Sequence, residues 1–432
     1  MKIQIQTNIN AFQFFQVLRF AAFILISILL AKAGVSTGMI GTYEYLLMLG
    51  GSASFFWLGG FLTFYISKSE ENNSSTNWYK KTFIILLLSN LLLVGLMLVL
   101  YFLFRNRFFE NITTTTFSLF LIYHFTNNQS YINEHYLLSS NKHRMLLHYS
   151  ILNFLLLLLG AGFGFYFYKN VNGILLGLSV VSVLKMMYSV FIYFHQKQNS
   201  SIDKSILFNF IQQGLIISIS ILLGSLGDYI DEFLVNFFYG NETYAIYKMG
   251  AREFPLLQLL TNSLATILIV VIVKESMAEA LQTFKIKTSK LIKTLVPILC
   301  ILILGSKYLF PLFYNQHFSE SAIYFNLYTL LVFSRFLFPQ SIIIGLGMNK
   351  YLMIASVVEC TLHIVLSLLL MRFWGVYGII AGFLISYLID KLLLMYFLYQ
   401  QKGISPFDYT PIKDYLIGNL MIVITIWIAS VL

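Results

Sequence analysis

The stretch KTFIILLLSNLLLVGLMLVLYFLF, residues 81–104, decides the class of fold. Only its first residue is charged, and the remainder is long enough to cross the roughly 30 Å hydrocarbon core of a bilayer as an α-helix. Comparable apolar stretches recur along the whole chain, separated by short polar joints. The sequence therefore predicts thirteen membrane-spanning helices, near residues 11–33, 38–66, 81–104, 114–139, 146–168, 172–195, 205–238, 243–273, 288–314, 321–346, 350–372, 375–399 and 412–432.

The composition of the chain supports a membrane protein. Of its 432 residues, 58% are hydrophobic and 11% are charged, and the mean hydropathy is +0.77. Soluble domains carry about 25% charged residues, so a cytosolic enzyme, a disulfide-rich secreted domain and a disordered chain are excluded. The net charge is +10, but the basic residues are scattered singly between apolar segments. We therefore expect no nucleic-acid partner.

The sequence offers no feature of a catalytic or metal-binding domain. Cys300 and Cys360 lie within apolar segments, without CxxC or metal-ligand spacing, which is typical of inert buried thiols. The longest joints, near residues 67–80 and 274–287, are too short to fold separately. We therefore expect no enzyme activity, no metal and no cofactor, and a function carried out inside the membrane.

The distribution of lysine and arginine predicts the orientation of the chain. With the N-terminus in the cytoplasm, most loop cations fall on the cytoplasmic side, among them Lys68, Lys80 and Lys142, and few fall outside, such as Lys32 and Arg105. The opposite orientation fits the positive-inside rule badly.

An internal repeat separates similar motifs by a little over 200 residues. Asn141-Lys142 recurs as Asn349-Lys350, and the motif at 173–177 recurs at 378–382, each followed by a lysine, Lys185 or Lys391. The repeat predicts two parallel six-helix bundles, residues 1–200 and 201–400, with a peripheral C-terminal helix in 401–432. A site between such bundles and alternating access to it favour a transporter.

Several motifs then resemble those of a known family. They are Ile40-Gly41-Thr42-Tyr43-Glu44, Asp228-Tyr229, Gly240 through Tyr247, Gly345-Leu346-Gly347-Met348-Asn349-Lys350 and Gly375 through Gly382. Over about residues 10–400 the chain resembles the polysaccharide-export branch, with its Wzx-type O-antigen flippases, of the multidrug/oligosaccharidyl-lipid/polysaccharide (MOP) superfamily. Family members usually have twelve or fourteen helices, so thirteen is a departure.

The resemblance implies a fold, a function and a location. The fold would be an all-α, polytopic, MATE-like arrangement of two bundles. The protein would move an undecaprenyl-pyrophosphate-linked oligosaccharide, for lipopolysaccharide O-antigen or capsule, across the bacterial inner membrane. Its partners would be the lipid-linked oligosaccharide, membrane lipid and other polysaccharide-assembly proteins, and coupling to a proton or sodium gradient is compatible with it.

Six cations fall within predicted spans: Arg19, Lys185, Lys248, Arg252, Arg335 and Lys391. A central cation costs about 2.5 to 3.5 kcal/mol on insertion scales, so these side chains should face water or an acid. A pyrophosphate suits such cations, since arginine binds it bidentately and lysine supplies a point charge. We select Arg19, Lys248, Arg252 and Arg335 as substrate ligands.

A structural role is the alternative for each of these cations. Lys248 and Arg252 could pair with acids that a turn near Gly240 folds back, at Asp228, Asp231 and Glu232. Arg19 could extend to the cytoplasmic surface, and Lys185 and Lys391, near cytoplasmic helix ends, are typical of simple anchoring.

Polar residues of the fourth predicted helix, residues 114–139, form the second candidate group. The run 123–131 contains Asn127 and Gln129, whose amides could meet sugar hydroxyls in a cavity. An interhelical hydrogen-bond seam is the alternative.

Titratable residues within spans are candidates for cation coupling or gating: Glu44, Asp228, Asp231, Glu359 and His363. Buried carboxyl groups can carry a proton. For Glu44 the alternative is a neutral, hydrogen-bonded carboxyl group, and for Glu359 and His363 it is a satisfied interhelical pair.

Two other functions compete with the flippase. A cation-coupled drug exporter of the same superfamily would need an acidic cavity, whereas bases are at least as numerous here. An integral-membrane polymerase, glycosyltransferase or acyltransferase would need an external loop or a wet His/Asp site, and neither is evident.

Overall fold

The computed structural model describes residues 2–71, 75–109, 112–195, 211–215, 217–219, 221–222, 227–251 and 255–431. Throughout these ranges the backbone is helical, with turns and short joints and without a β-strand. The chain divides into two compact units, residues 1–222 (unit 1) and 223–432 (unit 2). The correspondence of these units to the lobes predicted from the repeat stays a prediction.

Unit 1 is a bundle of long apolar helices. They are α1 (Lys2–Lys32), α2 (Thr37–Glu71), α3 (Ser75–Leu103), α4 (Thr114–Ser130), α5 (Ile132–Ser139), α6 (His143–Tyr168) and α7 (Val171–His195). A four-residue helix, Arg105–Phe108, follows α3, and the described parts of 211–222 are helical.

Unit 2 contains more interrupted helices. They are α8 (Gly227–Gly250), α9 (Pro255–Lys274), α10 (Met277–Phe313), α11 (Ser321–Tyr328), α12 (Pro339–Gly345), α13 (Asn349–Trp374), α14 (Val376–Lys402) and α15 (Ile412–Val431). Short helical segments lie at Gln316–Phe318, Thr329–Leu331, Val332–Arg335 and Pro406–Tyr409.

The number of continuous spans is lower than the sequence predicts. Nine described helices are long and apolar enough to cross a bilayer, and ten if the bent pair Gln316–Arg335 and Pro339–Gly345 counts as one. The predicted spans 114–139 and 243–273 are broken, and 205–238 lies partly outside the described residues. Apolar side chains on the outer faces fit a lipid environment, as at Leu92, which is 77% exposed.

The breaks lie at identifiable local features. Between α4 and α5, the Tyr131 N–H donates to the Asn128 carbonyl oxygen at 3.2 Å, an i to i−3 contact that is tighter than the α-helical pattern. After Gly250, Pro255 opens the next helix without a backbone N–H. Pro339 likewise begins α12 after a 43° bend. The two halves of the predicted tenth span are thus separate helices.

The backbone repeats with a fixed register of 206 residues. Left-handed φ angles occur at 78° and 79° for Gly34 and Gly240, at 56° and 70° for Asn141 and Gly347, and at 54° and 57° for Lys169 and Gly375. Each pair is 206 residues apart. Because L-residues seldom adopt this conformation, three coincident pairs indicate the same chain path in both units.

Two kinds of packing hold the helices together. Glycines let α6 and α7 approach closely, because the carbonyl oxygen of Gly160 lies 1.8 Å from where a Cβ on Gly177 would be. The last helix, α15, packs on α10, where Ile422 joins an apolar cluster with Leu295 and Leu299. The C-terminal segment is therefore part of unit 2.

Candidate functional site

A cavity of about 250 Å³ inside unit 2 collects polar and basic side chains. Arg335 ends the segment before the bend, Gln340 lies in the first turn of α12, and Tyr387 and Lys391 are one helical turn apart on α14. α9 adds Thr261 and other residues to the wall. The cavity thus brings together groups from four separate helical segments, two of which meet at the bend before Pro339.

The two cations of this cavity share an aromatic ring. The Tyr387 ring centroid lies 5.2 Å from Arg335 Cζ and 4.6 Å from Lys391 Nζ. Cation–π contacts hold a cation without neutralising its charge. Lys391 Nζ also donates to Asp390 Oδ2 at 2.9 Å and to Gln340 Oε1 at 3.3 Å. The wall therefore presents a guanidinium, an ammonium that also pairs with Asp390, and an amide, a donor set suited to an oxyanion.

Arg19 of unit 1 is paired with an acid that the sequence analysis did not single out. Its Nη1 lies 3.4 Å from Glu134 Oε1, and its guanidinium carbon lies 4.8 Å from the Tyr131 ring centroid. The Glu134 side chain is 1% exposed, whereas that of Arg19 is 23% exposed. Arg19 therefore points into the helix bundle instead of extending to an exposed surface.

Lys185 is buried in the same region of unit 1. Its Nζ donates to Asn127 Oδ1 at 3.0 Å, and it interacts electrostatically with Glu134. Asn127 also donates to the Tyr131 hydroxyl at 3.1 Å. Lys185 and Lys391 are 6% and 4% exposed. Neither is a surface anchor, because in each unit a buried polar group satisfies the ammonium.

Gln129 belongs to a hydrogen-bond seam between helices. Its amide nitrogen donates to the Phe83 carbonyl oxygen at 3.0 Å, and its oxygen accepts from Asn90 Nδ2 at 3.2 Å. On the other side of α4, the hydroxyls of Thr126 and Ser182 are 2.6 Å apart. The polar run of α4 thus joins α3 and α7.

Two of the predicted coupling residues meet inside unit 2. His363 Nε2 lies 2.6 Å from Asp231 Oδ1, and the Tyr328 hydroxyl donates to Asp231 Oδ2 at 2.7 Å. His363 is 0% exposed and Asp231 3%. The His363 Nδ1 atom has no hydrogen-bond partner among the described residues. A Cβ built on Gly227 would lie 3.8 Å from both this atom and Glu359 Oε1, so the three residues are neighbours.

The remaining predicted site residues have separate surroundings. Lys248 forms an ion pair with Glu232 across the turn at Gly240, and Glu232 also accepts from the Tyr244 hydroxyl at 2.8 Å. Glu44 accepts a hydrogen bond from Ser27 and is buried. Arg252 and the side chain of Asp228 lie outside the described residues.

Two site residues, Glu134 and Gln340, were missed in the sequence analysis. Glu134 is an acid within the predicted span 114–139, so the rule applied to the other acids within spans could have found it. The 206-residue register then leads from Glu134 to Gln340. It pairs Glu134 with Gln340, Lys185 with Lys391 and Gln129 with Arg335. The lysine and the residue at position 134 or 340 thus occupy the same corner of each unit.

Comparison with solved structures identifies the fold. Lipid II flippase MurJ in an inward closed conformation matches with a TM-score of 0.67 at 16% identity, covering 96% of this chain and 97% of that one. An inward-facing multidrug resistance MATE transporter of the MOP superfamily matches at 0.65 and 16%, covering 94% of both chains. The chain has a MATE/MurJ-like fold.

A third match adds an archaeal relative of this fold. A MOP superfamily transporter from Pyrococcus furiosus, described as having a binding pocket of reversed polarity, has a TM-score of 0.61 at 14% identity and covers 98% of this chain and 96% of that one. No protein-family profile matches the sequence, and no curated protein sequence matches it. The prediction of an all-α, MATE-like membrane protein is confirmed.

Proposed function

We propose that the protein is an alternating-access transporter that moves a polyprenyl-pyrophosphate-linked oligosaccharide, an O-antigen or capsule repeat unit, across the bacterial inner membrane. The observation that carries the proposal is the pair Arg335 and Lys391 in one cavity among apolar helices. Bases inside a membrane protein are costly unless they face water, an acid or an anionic ligand. A pyrophosphate is such a ligand.

The size of the cavity fits a headgroup better than a whole substrate. Drug-sized ligands occupy sites of about 300–1,000 Å³, and this cavity is just below that range. The pyrophosphate would bind Arg335 and Lys391, while the sugar chain and the polyprenyl tail would extend beyond the cavity. Arg19, Lys248, Arg252, Asn127 and Gln129 remain proposed substrate contacts.

For the coupling cation, a proton or a sodium ion, we propose the cluster of Asp231, His363 and Glu359. The support is the buried contact between Asp231 and His363 and the nearness of Glu359 to His363. Glu44 and Asp228 are the other proposed coupling residues. We also propose a cytoplasmic N-terminus, on the strength of the positive-inside distribution of lysines, and interaction with other polysaccharide-assembly proteins.

A translocation assay tests the proposal. The purified protein is reconstituted in liposomes with a fluorescently labelled undecaprenyl-pyrophosphate oligosaccharide, and a membrane-impermeant quencher reports its movement between leaflets. We expect transport by the wild type, and R335Q and K391Q to be slower by about tenfold or more, since a hydrogen bond to a charged group contributes about 1.5–3 kcal/mol. R372Q, at an exposed arginine of α13, is the control and should keep the wild-type rate.

The same liposomes test a second function, export of cationic drugs. The buried carboxyl groups of Asp231 and Glu44 favour this alternative, and solved structures of the same fold include multidrug transporters. Efflux of ethidium without movement of the labelled oligosaccharide would replace the flippase by the drug exporter. Wild-type oligosaccharide rates in both R335Q and K391Q would contradict the assigned ligands.

A further inference from the structure

The repeat places the same two positions at one corner of each unit, yet their chemistry differs. Lys185 and Lys391 are equivalent, and so are Glu134 and Gln340, each pair being 206 residues apart. The lysine side chains are both buried. The corner therefore has a carboxyl group in unit 1 and a neutral amide of the same length in unit 2.

In unit 1 the Glu134 carboxyl group is itself the anion that lies near the buried lysine. Glu134 lies 3.4 Å from Arg19 and interacts electrostatically with both Arg19 and Lys185. Its Oε2 atom is buried without a hydrogen-bond partner among the described residues. Because two cations already stabilise this carboxylate, a second anion would bind only weakly in this corner.

Unit 2 has no acid at the equivalent position. Gln340 lies at the position equivalent to Glu134, and Arg335 lies at the position equivalent to Gln129. The acid that pairs with Lys391 is Asp390, its neighbour on α14, which does not line the cavity. The space between Arg335, Gln340 and Lys391 is therefore lined by two bases and an amide.

We propose that the unit 2 cavity is an oxyanion site for a phosphoryl group and that the neutral side chain at position 340 decides its selectivity. Gln340 is exposed, whereas Glu134 is buried, but a carboxylate at position 340 would likewise lie beside the lysine of its unit, and it would repel a phosphate. Like charges placed against each other at a site cost several kcal/mol. The lipid-linked pyrophosphate as the physiological ligand rests on the function proposed above, whereas the site itself does not.

Binding of inorganic pyrophosphate tests the site directly. The full-length protein is placed in phosphatidylcholine nanodiscs, and its affinity is measured by isothermal titration calorimetry. We expect one site in the wild type and a loss of affinity on the order of a hundredfold in Q340E. Q340A should stay within about threefold of the wild type, because it also leaves position 340 uncharged. Q401E places the same change at an exposed residue of α14 and should bind normally.

Further measurements keep each outcome decisive. If Q340E does not fold, as judged by its elution and melting temperature, R335Q replaces it and should lose at least about tenfold in affinity. Nanodiscs with phosphatidylglycerol distinguish the sources of phosphate. If phosphatidylglycerol competes with pyrophosphate, the site is supported and a phospholipid headgroup is its ligand. If it does not compete, a free or polyprenyl-linked phosphate is supported as the ligand.

Two results would overturn the inference. One is a wild-type protein that does not bind pyrophosphate in phosphatidylcholine, and the other is equal affinity in Q340E and Q340A. Transport of the labelled oligosaccharide is measured in parallel. If the binding pattern holds and transport is absent, the flippase function fails while the oxyanion site stands. If transport is present and the binding pattern is absent, the site fails and the function stands.

Discussion

Asp231 and His363, on α8 and α13 of unit 2, are joined by a contact of 2.6 Å between Oδ1 and Nε2. The Tyr328 hydroxyl donates to the other carboxylate oxygen at 2.7 Å. The pair links two helices that are far apart in sequence, so its loss should affect the packing of unit 2.

A double-mutant cycle measures how strongly this pair is coupled. D231N and H363Q each leave one buried partner incompletely satisfied, and we expect each to lower the free energy of unfolding by about 2–4 kcal/mol. The double variant should lose less than the sum, because neither charged partner remains. Melting temperature in detergent gives the ranking, and E320Q, at an exposed acid of unit 2, is the control. Losses that add to within about 0.5 kcal/mol would show that the two residues act independently.

The ion pair of Arg19 and Glu134 predicts a rescue. R19Q removes the cation on α1 and leaves a buried carboxyl group with Lys185 as its remaining cation, at an expected cost of about 1–3 kcal/mol. The exposure of Arg19 keeps this cost below that of a fully buried pair. Adding E134Q should restore part of the melting temperature, because the carboxyl group is then gone. An R19Q/E134Q protein less stable than R19Q alone would contradict the pairing.

Membrane-spanning helices and the repeat could be predicted from the sequence because both depend on local patterns. The apolar stretch of residues 81–104 is sufficient for α3, and the matching lysines at 185 and 391 give the repeat. The span 114–139 was predicted as one helix, because hydropathy does not register a tight turn such as the one at Tyr131. The breaks in the helices can therefore be located only from the backbone geometry.

The site could be predicted only in part, because its contacts join distant residues. Arg335 was selected as an intramembrane cation, but the sequence did not indicate that Tyr387 and Lys391 share its cavity. Glu134 lies 115 residues from Arg19 in the chain, and no spacing rule connects them. Helical periodicity gives the face of a residue on its own helix, and only the packing gives the helix that it meets.

The positive φ angles of the repeat predict a backbone cost at both equivalent glycines. Gly34 and Gly240 have φ angles of 78° and 79°, and a Cβ at either would meet no atom within 4 Å. Their alanine variants should therefore lose stability through the backbone alone, by about 1–2 kcal/mol for G34A and at least as much for G240A, because the ψ angle of 175° at Gly240 is one that few residues other than glycine adopt. G95A is the control, because Gly95 is helical and equally uncrowded, so it should not destabilise. Thermal melting of the three variants makes the comparison. A stable G240A beside a destabilised G34A would argue against the shared backbone path.

Close packing of α6 on α7 gives the last prediction. The carbonyl oxygen of Gly160 lies 1.8 Å from the position of a Cβ on Gly177, so an alanine there must push the two helices apart. Alanine is otherwise favoured over glycine in a helix by about 1 kcal/mol. We therefore expect G177A to lower the melting temperature and G162A, where a Cβ meets no atom within 4 Å, to keep or raise it. Because both variants make the same chemical change in neighbouring apolar helices, the difference between them measures the steric term. A G177A protein as stable as G162A would mean that the helices can separate without loss, and that the glycine contact does not hold unit 1 together.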